Sequence, residues 1–400
     1  MRRNRTELRR RLIRKRKEQQ AAVVRKHTEH TEKGSTSMDI RFAVAAADFA
    51  VNLLKGSFET SENILLSPVS VEAALLMAAC GAGGNTKEEF RKLFGGEMSM
   101  EELEQQASAY IRNLPTSEKA RFHLADSVWI EKSLPVKQAF IDKNRSLYQA
   151  EVCQIPFNQD AVTAMNTWVE KNTAGMIDRI IEEVDPANLL YLINALSFDG
   201  EWQNIYNADK VKNAVFTGDD GSTSDMTAMY STEELYITNE ECDGFVKPYA
   251  DGKYSFVGLV PKNGQSLQDF VGKLSGAKLL VYPASAAREE VDALIPKFSV
   301  SDSRMLSSLL ISLGLPTAMS YSADFSGISD TPVGIDEVIH KTTLTMDERG
   351  TKAGAVTAVM MKLTSLPLAR PKVYLDRPFV YEIIDNSTLI PLFIGVMNRP

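Results

Sequence analysis

From Met38 onward the chain switches between helical and strand patterns of apolar positions. Phe42, Ala45, Ala46, Phe49, Ala50, Leu53 and Leu54 recur at intervals of three and four residues, which predicts an amphipathic helix laid on a core. Val71 to Cys80 is nearly uncharged and stops at Gly81-Ala82-Gly83-Gly84, the pattern of a buried helix with a glycine terminus. Phe122 to Trp129 alternates like a strand, Val162 to Ile181 carries helical spacing, and Leu189 to Phe198 is an apolar strand. Later in the chain strands dominate: Phe245 to Tyr249, Tyr254 to Val260, Val291 to Val300, Phe379 to Ile384 and Leu389 to Val396, punctuated by turns at Asp251-Gly252 and Asp385-Asn386. Helices and strands mix without βαβ regularity, a fixed-period repeat or a Ser/Pro-rich linker. That predicts one α+β domain over residues 38–400, with several sheets sharing one interior.

The stretch from Gly350 to Ser365 breaks this pattern. Connecting loops are usually short and polar, whereas this one is long, small-residued and apolar. At period two, one face is Thr351, Ala353, Ala355, Thr357, Val359, Met361 and Leu363, without a charge; the other holds Lys352 and Lys362. No proline interrupts it before Pro367, so every residue to Ser365 can donate to a ladder. It reads either as an ordinary buried strand or as one able to enter a sheet later. Burying its large apolar side chains at roughly 1.5–3 kcal/mol each, with net hydrogen bonds at about 0.5–1.5 kcal/mol each, supplies on the order of 10–20 kcal/mol before entropy losses.

Composition narrows the class. The chain has 400 residues, 44% hydrophobic and 24% charged, the balance of a folded globular protein. The longest run without Asp, Glu, Lys or Arg, Met305 to Ala323, contains serines and a Gly314-Leu315-Pro316 break, so no membrane span is predicted. Cys80, Cys153 and Cys242 are widely spaced and read as buried free thiols. The net charge of −7 hides an asymmetry: residues 1–37 carry 13 Lys or Arg against 4 Glu, hence +9, leaving −16 on residues 38–400. This tail reads as a solvated, disordered segment, as sequence upstream of a true start at Met38, or as an arm for weak polyanion binding. No aromatic residue interleaves with its charges to stack on bases. Leu12-Ile13 and Ala21 to Val24 are too short for the apolar part of a signal peptide.

An enzyme needs a nucleophile, a base or a metal. His27 and His30 sit in the tail, leaving His123 and His340 in the body, and neither G-x-S-x-G nor H-E-x-x-H occurs. Nucleotide binding fails on spacing, since no G-x-x-x-x-G-K-[ST] is present. The pairs Glu182-Glu183 and Glu289-Glu290 are adjacent and do not converge on a helix or strand. The expectation is a non-enzyme with no cofactor and no metal.

Several motifs then carry a resemblance. Asn63-Ile64-Leu65-Leu66-Ser67-Pro68-Val69-Ser70, Gly83-Gly84-Asn85-Thr86, Asn194 with Trp202, Ala323-Asp324-Phe325-Ser326-Gly327-Ile328, His340-Lys341 and Val373 to Ile383 occur in the order of the serpin family. The chain resembles that family from about Met38 to Pro400. The resemblance implies a serpin fold, with three β-sheets, about eight or nine helices and an exposed reactive-centre loop after Glu348. It also implies a suicide substrate: a serine protease forms an acyl-enzyme on the loop, and the cleaved loop inserts into the main sheet before hydrolysis completes.

Carried over position by position, Glu348, Gly350, Thr351, Ala353, Gly354, Ala355 and Thr357 form the loop hinge. Lys352 departs from the family's usual acidic residue, on the face expected to stay exposed. Ser67, Ser70, Asn194 and His340 match the polar shutter cluster beneath the sheet's opening, which gives His340 a structural role. Counting from the hinge places the scissile bond at Thr364-Ser365, while counting back from Arg377-Pro378-Phe379 falls a few residues away. A small residue behind Leu363 suits an elastase-like pocket. The alternatives are Lys362 or Arg370 for a trypsin-like protease and Leu363 or Leu366 for a chymotrypsin-like one. Glu97 to Gln106 is acidic where glycosaminoglycan activation would want a basic helix. A monomer, a covalent 1:1 complex with the protease and an extracellular location complete what the resemblance implies. The rival reading is a non-inhibitory serpin acting as a carrier or chaperone.

Overall fold

The computed structural model describes residues 38–114, 117–262, 264–351 and 370–400. The basic tail, and with it any polyanion arm, lies outside the described residues, as do Ala353, Gly354, Ala355, Thr357, Lys362, Leu363, Thr364, Ser365 and Leu366. Nine α-helices are found among those described: α1 (Ile40–Ser57), α2 (Pro68–Ala79), α3 (Gly84–Phe94), α4 (Met100–Arg112), α5 (Gln138–Tyr148), α6 (Gln159–Asn172), α7 (Leu267–Lys273), α8 (Gly276–Ala284) and α9 (Ser307–Leu313). Fourteen strands accompany them: β1 (Ile64–Leu66), β2 (Ala120–Glu131), β3 (Glu151–Ile155), β4 (Leu190–Gly200), β5 (Val211–Thr217), β6 (Thr223–Thr238), β7 (Cys242–Pro248), β8 (Tyr254–Pro261), β9 (Ala287–Pro296), β10 (Phe298–Met305), β11 (Glu337–Met346), β12 (Lys372–Tyr374), β13 (Phe379–Asp385) and β14 (Pro391–Met397).

Five strands form one sheet in the order β10-β11-β4-β2-β3, and the other nine are linked into a second ladder. The resemblance implies three sheets. Two of them are continuous here because β6 runs through both, with a register shift between Glu233 and Leu235: its first half pairs with β5 and its last residues with β7.

Helix α2 lies between the two sheets, against β2 and β4 on one side and β14 on the other, and all twelve of its residues are buried. Its uniform apolarity follows from having no solvent face. Ser67 caps its first turn and Pro68 occupies the first helical position, where a missing N–H costs nothing. On the opposite face of the five-stranded sheet, Val162, Met165 and Val169 of α6 bury Trp129, Tyr191, Ile193 and Ile339 in a second cluster. The sheet is thus covered on both faces, which is why β4 is a continuous apolar run.

Two sequence expectations change. The helix read from Val162 to Ile181 ends at Asn172: the Thr173 side chain donates to Val169 O, and Ala174 and Gly175 take positive φ, turning the chain away. The strand read from Val291 to Val300 is two strands in different sheets, separated at Lys297. All three cysteines are free, but only Cys242 is fully buried while Cys80 and Cys153 are half-buried. Burial pushes the Cys80 and Cys242 thiols up to about 12 and that of Cys153 to about 11, so they stay protonated.

Candidate functional site

The middle of the five-stranded sheet holds a parallel pair, as does its edge, where β2 pairs with β3. β11 pairs with β4 from Glu337 opposite Tyr191 to Thr343 opposite Ser197. The outer neighbours β10 and β2 run antiparallel to them. Parallel ladders are slightly less stable per residue than antiparallel ones. A strand entering between β11 and β4 after a tight turn would run antiparallel to both, replacing one slanted ladder by two better ones.

That turn is present. After β11, Asp347 closes a loop in which its carboxylate accepts from Arg349 N (2.8 Å) and Gly350 N (3.2 Å), while Asp347 N donates to Gly350 O at 2.9 Å. Gly350 forms an antiparallel bridge with Glu201, and Thr351 N donates to Gly200 O at 2.7 Å. A Cβ on Gly350 would lie 1.8 Å from Gly200 O, and its φ is +154°, so only glycine fits. Thr351 is fully buried, with its hydroxyl 2.6 Å from that of Tyr249.

Trp202 holds the turn from above. Its indole N–H donates to Asp347 O at 3.0 Å, its backbone N to Arg349 O at 2.6 Å, and its ring stacks on Tyr249 at 4.5 Å. Lys247, whose ammonium is 2.7 Å from Glu233, sits 5.3 Å from the Trp202 ring and 4.5 Å from that of Tyr206, all of them buried. Tyr206 N donates to Glu348 O. The Glu348 side chain meets Lys297 at 2.5 Å, which holds its carboxyl below the ordinary value. Three described hinge residues, Glu348, Gly350 and Thr351, therefore occupy one place at the top of the β4/β11 junction.

Lower in the same junction the four shutter residues meet, though they come from α2, β4 and β11. Ser67 N donates to His340 Nε2 at 3.1 Å, so the imidazole carries its proton on Nδ1 and donates to Asn194 Oδ1. The Asn194 amide then donates to Ser70 Oγ and to Asp126 Oδ1, and Ser70 Oγ donates to Asp126 Oδ1 at 3.3 Å. One directed chain thus ties β11 to β4, β2 and α2. Burial drives His340 down to about 3, with Arg304 adding repulsion, which keeps it neutral and structural. Asp126, Tyr249 and Asp347 were not among the sequence candidates, and Trp202 entered only as a family motif with no role given to it. A lone acid within the alternating run Phe122 to Trp129 was the available signal for Asp126.

Of the remaining candidates, Arg370 is described. Its guanidinium meets Glu290 at 2.7 Å through both Nε and a terminal nitrogen, with Asp292 at 3.8 Å, just before β12. Among the described residues no group of three or more His, Cys, Asp or Glu is placed to hold a metal ion, and no helix is long and apolar enough to cross a membrane.

The family model described as Serpin (serine protease inhibitor) matches residues 44–400. Serpin-ZXA of Oryza sativa subsp. japonica is 32% identical over 358 residues, covering 84% of this chain and 90% of its own. The solved structure of the thermophilic serpin tengpin in its native state is 37% identical, with a TM-score of 0.88 over 92% of this chain and 96% of that one; its latent state gives 0.79. Human thyroxine-binding globulin, solved with thyroxine, is 27% identical, with a TM-score of 0.83 over 90% of this chain and 100% of that one. A motif series in family order, a sheet in which β4 and β11 pair directly beneath the buried Gly350 and Thr351, and a family match over nearly the whole body agree: this chain belongs to the serpin family, whose members are generally protease inhibitors that act by a suicide mechanism.

Proposed function

We propose that this serpin is inhibitory and traps an elastase-like serine protease as a covalent 1:1 acyl-enzyme. The observation that supports this most is the antiparallel seating of Gly350 against Glu201 above a closed parallel β11/β4 pair. Continuing that register would set residues 351–361 against Gly200 to Leu190, the length of β4. Since Thr351 points inward, Ala353, Ala355, Thr357, Val359 and Met361 share its face at period two. All are uncharged, as insertion requires. Lys362, Leu363 and Thr364 then fall just past the end of β4, so cleavage at Thr364-Ser365 releases a segment long enough to fill the gap. Arg370 is engaged by Glu290 and Asp292, which disfavours it as the residue a trypsin-like protease would take. The site of action is extracellular and the protein a monomer, on the strength of the family resemblance. The basic tail binds polyanions weakly and independently of the loop.

The deciding experiment mixes the full chain with an elastase-like and, separately, a trypsin-like protease, followed by denaturing gels and mass analysis of the released C-terminal peptide. A covalent band with a peptide starting at Ser365 is expected. A start at Leu363, Thr364 or Pro367 would move the bond to Lys362, Leu363 or Leu366. Cleavage without a covalent band by either protease would favour the second reading, a non-inhibitory carrier, for which the likeness to thyroxine-binding globulin is the supporting observation.

A further inference from the structure

The hydrogen-bonded chain beneath the sheet's opening ends on a side chain with an unmet oxygen. Asp126 Oδ1 accepts from Asn194 and Ser70, while its Oδ2 is buried and has no hydrogen-bond partner among the described residues. With Oδ1 occupied by two donors, a proton on the carboxyl belongs on Oδ2. Asp126 also stands where three elements meet: it is on β2, directly opposite Asn194 of β4, and over Ser70 of α2. On its other flank is a cavity of about 110 Å³, lined by Ala73, Leu124, Tyr148 and Trp168 among others.

We propose that Asp126 is a positioning residue that makes the opening of the β4/β11 junction pH dependent, its neutral carboxyl holding β2, β4 and α2 together and its ionised form releasing them. Asp126 as a residue is half-buried and lines that cavity, but its Oδ2 is buried, so an ionised carboxyl would be a charge out of water with no cation against it among the described residues. Drawing β4 away from β11 takes Asn194 from His340 and admits water along the broken chain, where the carboxylate is hydrated. The ionised form therefore favours the open sheet.

The direction in pH follows from the difference between the two states. Burial raises the closed-state carboxyl to about 8, against the partial opposition of its two hydrogen bonds. A hydrated carboxyl titrates near its ordinary value, so the open state loses its proton first. The contribution of Asp126 to opening grows as pH rises from the ordinary carboxylate range to about 8 and levels off above it. The other titratable or charged groups around Asp126 are Glu72 on α2, Tyr148 closing α5, Glu151 on β3, and His340 on β11 with Arg304 of β10 beyond it. In the closed sheet His340 stays neutral down to about 3 and once hydrated it takes up a proton only below about 6.5, and Tyr148 is raised well above its ordinary value, so above pH 7 neither titrates. Glu72 is also raised to about 8 and makes the necessary control.

The consequence for trapping rests on the inhibitory reading, but the test does not. Hydrogen-exchange protection factors of the β4 and β11 amides, which divide out the intrinsic pH dependence of exchange, are measured in the full chain from about pH 7 to 9.5. Protection is expected to fall about tenfold from pH 7 to 9, most of it below pH 8.5, and then flatten. In Asp126→Asn, which copies the neutral acid in shape, protection should not change with pH, while Glu72→Gln keeps the fall. A flat profile in the unaltered protein, a fall that persists in Asp126→Asn, or its disappearance in Glu72→Gln would overturn the proposal. A chain that shows the profile yet never traps a protease would overturn the proposed function and leave this inference standing.

Discussion

The hydroxyl of Thr351 lies 2.6 Å from that of Tyr249, and both side chains are fully buried at the top of the β4/β11 junction. On the proposed inhibitory mechanism, Thr351 would already occupy its inserted place before cleavage, and later inward residues would need only to follow it at period two.

Thr351→Arg puts a charge on a fully buried side chain packed against Tyr249, a cost of several kcal/mol. The variant should be cleaved as a substrate, with covalent complex on denaturing gels reduced at least about tenfold. Ala353→Glu should act the same way through the next inward position. Undiminished complex in both would show that insertion does not drive trapping in this chain.

Gly350→Ala tests the seat itself. Its Cβ would lie 1.8 Å from Gly200 O, a backbone atom that cannot rotate aside, and φ is +154°. The bridge to Glu201 should break, at about 1–3 kcal/mol, read as a lower urea midpoint with an unchanged slope. Gly252→Ala makes the comparison, because its Cβ meets nothing within 4 Å although its φ is +67°. Similar losses in both would mean that the backbone angle, and not the contact with Gly200, sets the cost.

The sequence makes the helix from Ile40, the buried helix α2 and the strands β4, β7, β8, β13 and β14 legible, because each has an apolar period and a turn signal at its ends. Strands β5 and β6 escape it: most of their residues are exposed or half-buried, so no apolar alternation marks them. Lys297 hides a change of sheet, since β9 and β10 share one apolar pattern and only the tertiary arrangement separates them. In the site, Ser67 and His340 are 273 positions apart, and no periodicity joins them; the family resemblance did. Asp126 stayed hidden because an acid in a strand reads as a solvent-facing residue, and Tyr249 because a tyrosine among Phe245 and Val246 reads as core.

His340 should give the native state an acid limit. Its neutral ring accepts from Ser67 N and donates to Asn194, and burial lowers it from 6.5 to about 3. Below 6.5 the unfolded chain takes up a proton that the native state refuses, so stability is present above that value and lost as pH falls toward about 3. The slope is about 1.4 kcal/mol per pH unit, or about 2 kcal/mol by pH 5. Urea unfolding at pH 7.5 and pH 5 should show that loss in the unaltered protein and a smaller one in His340→Gln. Equal losses would assign the acid limit to other groups.

Glu382 predicts the opposite limb. It sits on β13 between Val257 of β8 and Ile394 of β14, wholly buried, with neither carboxyl oxygen partnered among the described residues. Burial alone raises it from 4.5 to about 8. Here the unfolded chain gives up its proton first, so the contribution is intact below about 4.5 and lost as pH rises to about 8. Glu382→Met fills similar space without an unmet polar group and should raise stability at pH 8 by about 1–3 kcal/mol, with a smaller gain at pH 5. Guanidinium midpoints at the two pH values measure it, and a gain that does not grow with pH would show that the carboxyl is hydrated in the native state. Because β13 belongs to the nine-stranded ladder and not to the sheet that opens, covalent trapping should survive the change. Core stability and sheet opening would then be adjustable separately in this fold.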